Sequence, residues 1–264
     1  MSFDSNETFA YAIRARYVIG NADMFEPGQR CVCQRGIANA CMDVYGEHFV
    51  SGCGKFGFRQ KIHDSVVSAV YDCVRLAELP ATLEDKSALR DTGNEGNERP
   101  DISTKLPIRS RGIKECLVEV TVGNTINGTV SGNLKLTDGQ DKQAGKCAAK
   151  KFGEKARKYT QLLANNTVNN ANIVFRIVAV ETTGRLHPAS VKYINQLAEI
   201  AAQKRKWDVY SMRRYMFMKI SVALFNSMGK AISRRIGGVN NFQSATLEDF
   251  EDQNLMIRQA TRAD

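Results

Sequence analysis

The chain predicts an α/β fold, a small mixed sheet flanked by helices, and two observations carry that expectation. Residues 115–122 (Glu-Cys-Leu-Val-Glu-Val-Thr-Val) and 173–180 (Ile-Val-Phe-Arg-Ile-Val-Ala-Val) are nearly continuous apolar runs rich in β-branched side chains. That is the pattern of strands buried over most of their length. Between them Ala144, Ala148, Phe152, Ala156, Tyr159 and Leu163 recur at spacings of 3 or 4, the buried stripe of a helix over 141–164. Strand, helix and strand in succession point to an α/β arrangement.

The remaining elements follow in order. Residues 6–19 (Glu7, Phe9, Ala12, Ile13, Tyr17) read as a short amphipathic helix, and Pro27-Gly28 breaks the chain after it. From Ile62 to Leu79 a second helical stripe (62, 66, 70, 73 or 74, 77) ends near Pro80. Residues 80–98 are polar, acidic and without periodicity, the marks of a linker. Arg99-Pro100-Asp101-Ile102 then leads into a strand, Pro100 fixing an extended approach. A Gly/Asn-rich loop separates strand 115–122 from the lysine-bearing helix. After strand 173–180, residues 189–205 and 208–233 read as helices broken at Trp207-Asp208, and 244–264 is an acidic tail. The expected units are 1–79, a linker over 80–98, a core over 99–240 and a tail over 241–264.

Composition narrows the class. A chain of 264 residues can bury a sizeable core, and 43% hydrophobic with 25% charged residues is ordinary for a soluble globular protein. No run of 18 apolar residues exists, so no membrane partner is expected. The first seven residues are acidic and lack an apolar signal core, which with seven cysteines suggests an intracellular chain of thiols or metal ligands. No P-loop or G-x-G-x-x-G is present, and three histidines offer no Ser/His/Asp set.

Charge is unevenly placed. Residues 1–98 hold 10 Lys/Arg against 14 Asp/Glu, residues 99–245 hold 25 against 9, and residues 246–264 hold 2 against 5. The excess of +16 in the middle segment suits a polyanionic partner, DNA first and RNA second. A lysine-rich solubilising surface is the plain alternative.

Two constellations carry chemistry. Cys31, Cys33, His48 and Cys53 are three thiols and an imidazole, a sufficient tetrahedral Zn²⁺ set. Singly buried reduced cysteines, with Cys41 as another thiol, are the other reading. In the second constellation, Asp101 opens one strand and Glu119 lies inside the next, among apolar neighbours. A lone carboxylate there is costly unless paired or metal-bound. Two carboxylates a strand apart can hold Mg²⁺ or Mn²⁺, and a nearby lysine can orient a water and offset charge on a phosphate. Taking Phe152 as zero, Lys155 lies about 60° from the centre of the buried stripe, Lys151 about 100° and Lys158 about 120°. Lys155 is therefore best placed to enter a site against the sheet. Lys142, Lys146, Lys150, Lys151 and Arg157 are left as phosphate contacts or solvated charges. A Glu119 facing solvent or salt-bridged to the lysine helix is the structural alternative.

These pieces together resemble the PD-(D/E)XK, restriction-endonuclease-like superfamily, in the version found downstream of reverse transcriptase in non-LTR retrotransposons. The Pro100-Asp101 box, the strand glutamate Glu119 and Lys155-Ala-Arg-Lys158-Tyr159, similar to that branch's K-x-x-K-Y, carry the resemblance. So do Cys-x-Cys, a long gap and Gly46-x-His48-x-x-x-x-Cys53 followed by His63-Asp64, and Val180-Glu181-Thr-Thr-Gly184. The superfamily's usual lysine two residues after the glutamate is Thr121 here. The resemblance implies a restriction-endonuclease-like core with an N-terminal zinc-binding subdomain. It further implies Mg²⁺ (or Mn²⁺) held by Asp101 and Glu119, Lys155 or Lys158 as the catalytic lysine, structural Zn²⁺ and a nuclear location. Glu78 is a second acidic candidate or an ordinary helix-end glutamate. His63 is read as a helix-start residue outside the zinc set, and Glu181 as a structural carboxylate capping the strand end. A binding module that keeps the basic surface and knuckle without cutting is the competing class.

Overall fold

In a computed structural model of the chain, the described residues are Ala10, Ile13 and the segments 57–84, 99–108, 112–128, 134–136, 144–164 and 173–241. The expected zinc ligands Cys31, Cys33, His48 and Cys53, together with Lys142 and the acidic tail, lie outside them, as does most of the expected helix 6–19. The described elements are α1 (Phe58–Leu76), β1 (Ala81–Leu83), β2 (Ile102–Ile108), β3 (Gly112–Gly123), β4 (Ile126–Gly128), β5 (Leu134–Leu136), α2 (Lys146–Ala164), β6 (Ile173–Glu181), α3 (Pro188–Arg205) and α4 (Val209–Asn241).

A four-stranded mixed sheet in the order β1-β2-β3-β6 forms the middle layer. β2 is antiparallel to both β1 and β3, whereas β3 and β6 run parallel. A parallel pair needs a crossover, and α2 supplies it. Side-chain alternation then sorts the two faces. Cys116, Val118 and Val120 of β3 and Val178 and Val180 of β6 face a core built with α1, α3 and α4. On the other face Leu117, Ile177 and Ala179 meet Tyr159, Ala148, Phe152 and Ala156 of α2. With both faces covered, the strands read as unbroken apolar runs. Glu119, lying between Leu117 and Thr121, is directed to the α2 face.

The expected α/β class and the mixed sheet between helices are what the chain forms. Four expectations need correction. Part of the supposed linker is an edge strand, Ala81–Leu83, paired with Ile102–Thr104. The Gly/Asn-rich loop carries a two-stranded hairpin, β4 with β5. The lysine helix starts at Lys146 rather than 141, because Gly145 at φ 91° turns the chain there. The helix expected from 62 also starts earlier, at Phe58, and its Ile62, Val66, Val70 and Val74 are all buried in the core.

Candidate active site at the end of the β2–β3 ladder

The ladder between β2 and β3 stops at Ile102↔Val118. Two residues further the register would set Val120 against Pro100 across the strand end, and proline has no N–H to offer the Val120 carbonyl. Side chains occupy the vacated positions. The Val120 N–H donates to Asp101 Oδ2 at 2.6 Å, and the Val120 carbonyl lies 3.2 Å from His63 Nε2 on α1. The same nitrogen is 3.6 Å from Asp101 Oδ2, while His63 Nδ1 lies 3.2 Å from Asp64 Oδ1. Burial works against charge on this imidazole. Asp101, Asp64 and the Val120 carbonyl outweigh it, and the His63 pKa is pushed up to about 10. The ring is an imidazolium at neutral pH, donating from both nitrogens.

Glu119 is nearly enclosed, with 7% of its side chain exposed. Its Oε1 accepts from Lys155 Nζ, and its Oε2 accepts from the Tyr159 hydroxyl at 2.5 Å. Burial, then the charge of Asp101, pushes the Glu119 carboxyl above its ordinary value. Lys155 and Tyr159 pull it back without fully compensating. Tyr159 is fixed in turn by its ring, stacked on Phe175 with centroids 4.0 Å apart.

The helix that delivers Lys155 is held at its start by another acid. Glu181, fully buried at the end of β6, accepts from the Ala148 N–H at 3.1 Å, in the first turn of α2. That turn has no acidic residue of its own, and a carboxylate from β6 satisfies an N–H that the helix cannot pair. Thr183 Oγ1 donates to the other oxygen at 3.3 Å. Expected as a cap for its own strand, Glu181 caps the helix instead.

The structure thus pairs Glu119 with Lys155, the salt bridge to the lysine helix that was the structural alternative, and places Asp101 where its charge acts on Glu119. Lys158 turns toward the Tyr159 ring, 5.7 Å from its centroid. Lys151 pairs with Glu154 at 2.8 Å, Lys146 and Lys150 are exposed, and Arg157 donates to the Gly153 carbonyl of its own helix at 3.3 Å. Glu78 lies past the end of α1 at φ 52°, its carboxylate 4.0 Å from Arg205 and away from the site. Thr121 is buried on the same face as Glu119. Sequence reasoning missed the roles of two residues. Tyr159 was placed in the apolar stripe, although a buried phenol needs a partner for its hydroxyl. His63 was placed outside the zinc set, with nothing in the local sequence to tie it to Asp101.

Neither a family model nor a curated protein matches this chain. Among the described residues no three His, Cys, Asp or Glu side chains form a metal-binding group. A hard cation such as Mg²⁺ needs fewer protein ligands, because it keeps waters and binds substrate phosphate through its remaining positions. The two carboxylates are hard oxygen donors of that kind, so the donor chemistry suits such an ion, which would have to displace Lys155 or Tyr159 from a Glu119 oxygen. The Lys155 ammonium beside them suits an anionic substrate.

Proposed function

We propose that this chain is a metal-dependent DNA endonuclease of the restriction-endonuclease-like type, derived from a non-LTR retroelement, with RNA as a further ligand of its basic surface. The observation that carries the reading is Asp101 at the open strand end, its charge acting on a second, nearly enclosed carboxylate, Glu119. Asp101 and Glu119 would hold Mg²⁺ or Mn²⁺. When bound, the metal supplies Lewis-acid polarisation of a phosphoryl oxygen and stabilisation of the leaving oxygen. Lys155 orients the attacking water and offsets charge on the phosphate, a task for which Lys158 is turned less favourably. Tyr159 fixes the Glu119 carboxylate, and His63 holds Asp101 against the end of β3. Hydrolysis consumes one water and breaks the bond from phosphorus to the 3′-oxygen. The chain's charge distribution supports binding of the polyanion along 99–245. The zinc set Cys31, Cys33, His48 and Cys53 belongs to the proposal as a structural Zn²⁺ site, tested by metal analysis of the purified chain.

A second reading is a nucleic-acid-binding module that no longer cuts. It is favoured by the engagement of both Glu119 oxygens with Lys155 and Tyr159. Plasmid nicking separates the two. With Mg²⁺ or Mn²⁺ the wild type should nick supercoiled DNA. Asp101→Ala and Glu119→Ala should stop nicking while DNA affinity holds or improves, since each removes a negative charge. Lys155→Ala should slow nicking more than Lys158→Ala. A wild type that binds DNA and never nicks it establishes the binding module.

A further inference from the structure

The corner between α3 and α4 lies within the basic 99–245 segment but outside the Asp101–Glu119 site. Residues Gln203 to Ser211 are exposed without interruption, yet the corner is tightly built. Lys206 closes α3 at φ 54°, and the Trp207 N–H donates to the Ala202 carbonyl at 3.0 Å. Asp208 Oδ2 accepts from the Ser211 N–H at 2.7 Å, capping α4. On this rigid bend Trp207 is 55% exposed and Tyr210 is 72% exposed. Trp207 meets Tyr215 edge-on, with centroids 6.5 Å apart. Tryptophan is highly buried on average, so a tryptophan and a tyrosine held open to solvent on one bend call for an occupant.

Charge identifies the occupant. Between 203 and 215 the chain carries Lys204, Arg205, Lys206, Arg213 and Arg214 against Asp208 alone, and Asp208 is already engaged as the cap. Lys204 and Arg205 fasten the corner to the end of α1 through the Glu78 and Leu76 carbonyls, each at 2.9 Å. Arg213 pairs with Glu199 at 2.5 Å. Lys206 and Arg214 form no ion pair with an acid among the described residues. Tyr210, Arg214 and Met218, spaced by four, continue an exposed row along α4. We propose that this corner is a stacking platform for single-stranded nucleic acid, with bases on Trp207 and Tyr210 and phosphates on Lys206 and Arg214. Aromatic faces can accept only bases that have left a duplex stack. Protein interfaces also favour Trp, Tyr, Met and Arg but deplete lysine, and the basic excess around these aromatics, Lys206 included, favours a polyanion. Along α1, thirteen residues separate His63 from Leu76, so at 1.5 Å per residue the platform stands roughly 20 Å from Asp101. It does not depend on whether that site cuts.

Trp207 is the single tryptophan of the chain, so its fluorescence reads the platform directly. Titrating the full chain with oligothymidylate should quench it to saturation, and heparin should not. With a labelled oligothymidylate followed by anisotropy, Trp207→Ala and Tyr210→Ala should each weaken binding about 5- to 100-fold, and Trp207→Phe should retain most of it. Lys206→Ala should lower the log–log salt slope by about 0.7. Equal quenching by duplex of the same length or by heparin, or alanine variants binding within about twofold, would overturn the platform. So would quenching that grows with protein concentration alone, which marks a contact between copies. An Asp101→Ala, Glu119→Ala double variant should quench like wild type. Loss of nicking and loss of the platform are thus read separately.

Discussion

Replacing Lys155 with methionine tests whether the Glu119 pair is a charge balance or an incidental contact. Methionine keeps the length and apolar stem of lysine but removes the ammonium. Glu119, with 7% of its side chain exposed, would then have only the Tyr159 hydroxyl as a donor and must either carry an uncompensated charge or take up a proton. Breaking a fully buried pair costs about 3–5 kcal/mol. Here the Lys155 side chain is 31% exposed, so water reaches this end of the pair, and about 2–3 kcal/mol is the reasonable range. In a chain of this size that corresponds to a fall in Tm of roughly 5–10 °C. Glu119→Gln keeps the shape and an acceptor for Tyr159 while removing the charge, so Lys155→Met in that background should cost under about 1 kcal/mol. The double-mutant cycle, measured by urea denaturation, should return a coupling of about 2 kcal/mol. A coupling near zero would refute the reasoning, because the carboxylate would then be solvated by something other than Lys155.

Three further outcomes follow from other contacts. Gly184→Ala places a Cβ 2.8 Å from Phe225 Cζ at a residue with φ 85°. Strain and overpacking together should cost about 2–4 kcal/mol, and Phe225→Leu should recover part of it; a denaturation midpoint unchanged by Gly184→Ala would contradict this. Glu181→Ala should release the first turn of α2, costing at least about 1–2 kcal/mol as a lost cap, and hydrogen exchange at the Ala148 amide should accelerate if that bond is what holds the turn. Burial lowers the His187 pKa below its ordinary 6.5, and the ring caps α3 by accepting from the Ala189 N–H at 3.2 Å. The unfolded chain therefore takes up this proton first. The stability His187 contributes is whole above pH 6.5 and is lost as pH falls through the lower folded value. His187→Asn should flatten that acid-side fall, and an identical pH profile in the variant would exclude the cap as its source.

What could be read in advance was whatever depends on a regular period. The two β-branched runs became β3 and β6, and the angular position of Lys155, nearest the buried stripe, agrees with its reaching Glu119 at the sheet, in the salt bridge that was the structural alternative. The three-residue strands were missed. Ala81–Leu83 spans too few residues to show alternation and lies in a polar stretch, and Ile126–Gly128 with Leu134–Leu136 is just as short. Long-range satisfaction of polar groups was also illegible. That His63 would reach Asp101, or that Glu181 would cap α2, depends on contacts 38 and 33 positions apart, which no local pattern encodes.

The way β2 ends bears on where the chain could be divided. Because the ladder ends before Val120, whose N–H goes to Asp101 and whose carbonyl meets His63, the site is stitched from α1, the start of β2 and β3 together. A fragment beginning at residue 99 would keep Asp101, Glu119, Lys155 and every lysine of α2. It would lose His63 and the edge strand β1, and it would bare the surface that Val66, Val70 and Val74 now cover. Such a piece could retain its motifs and still be insoluble, so inactivity in it would say nothing about the chemistry of the carboxylates. A failed cleavage assay would carry meaning only on a piece that keeps α1 and β1 with the rest of the sheet.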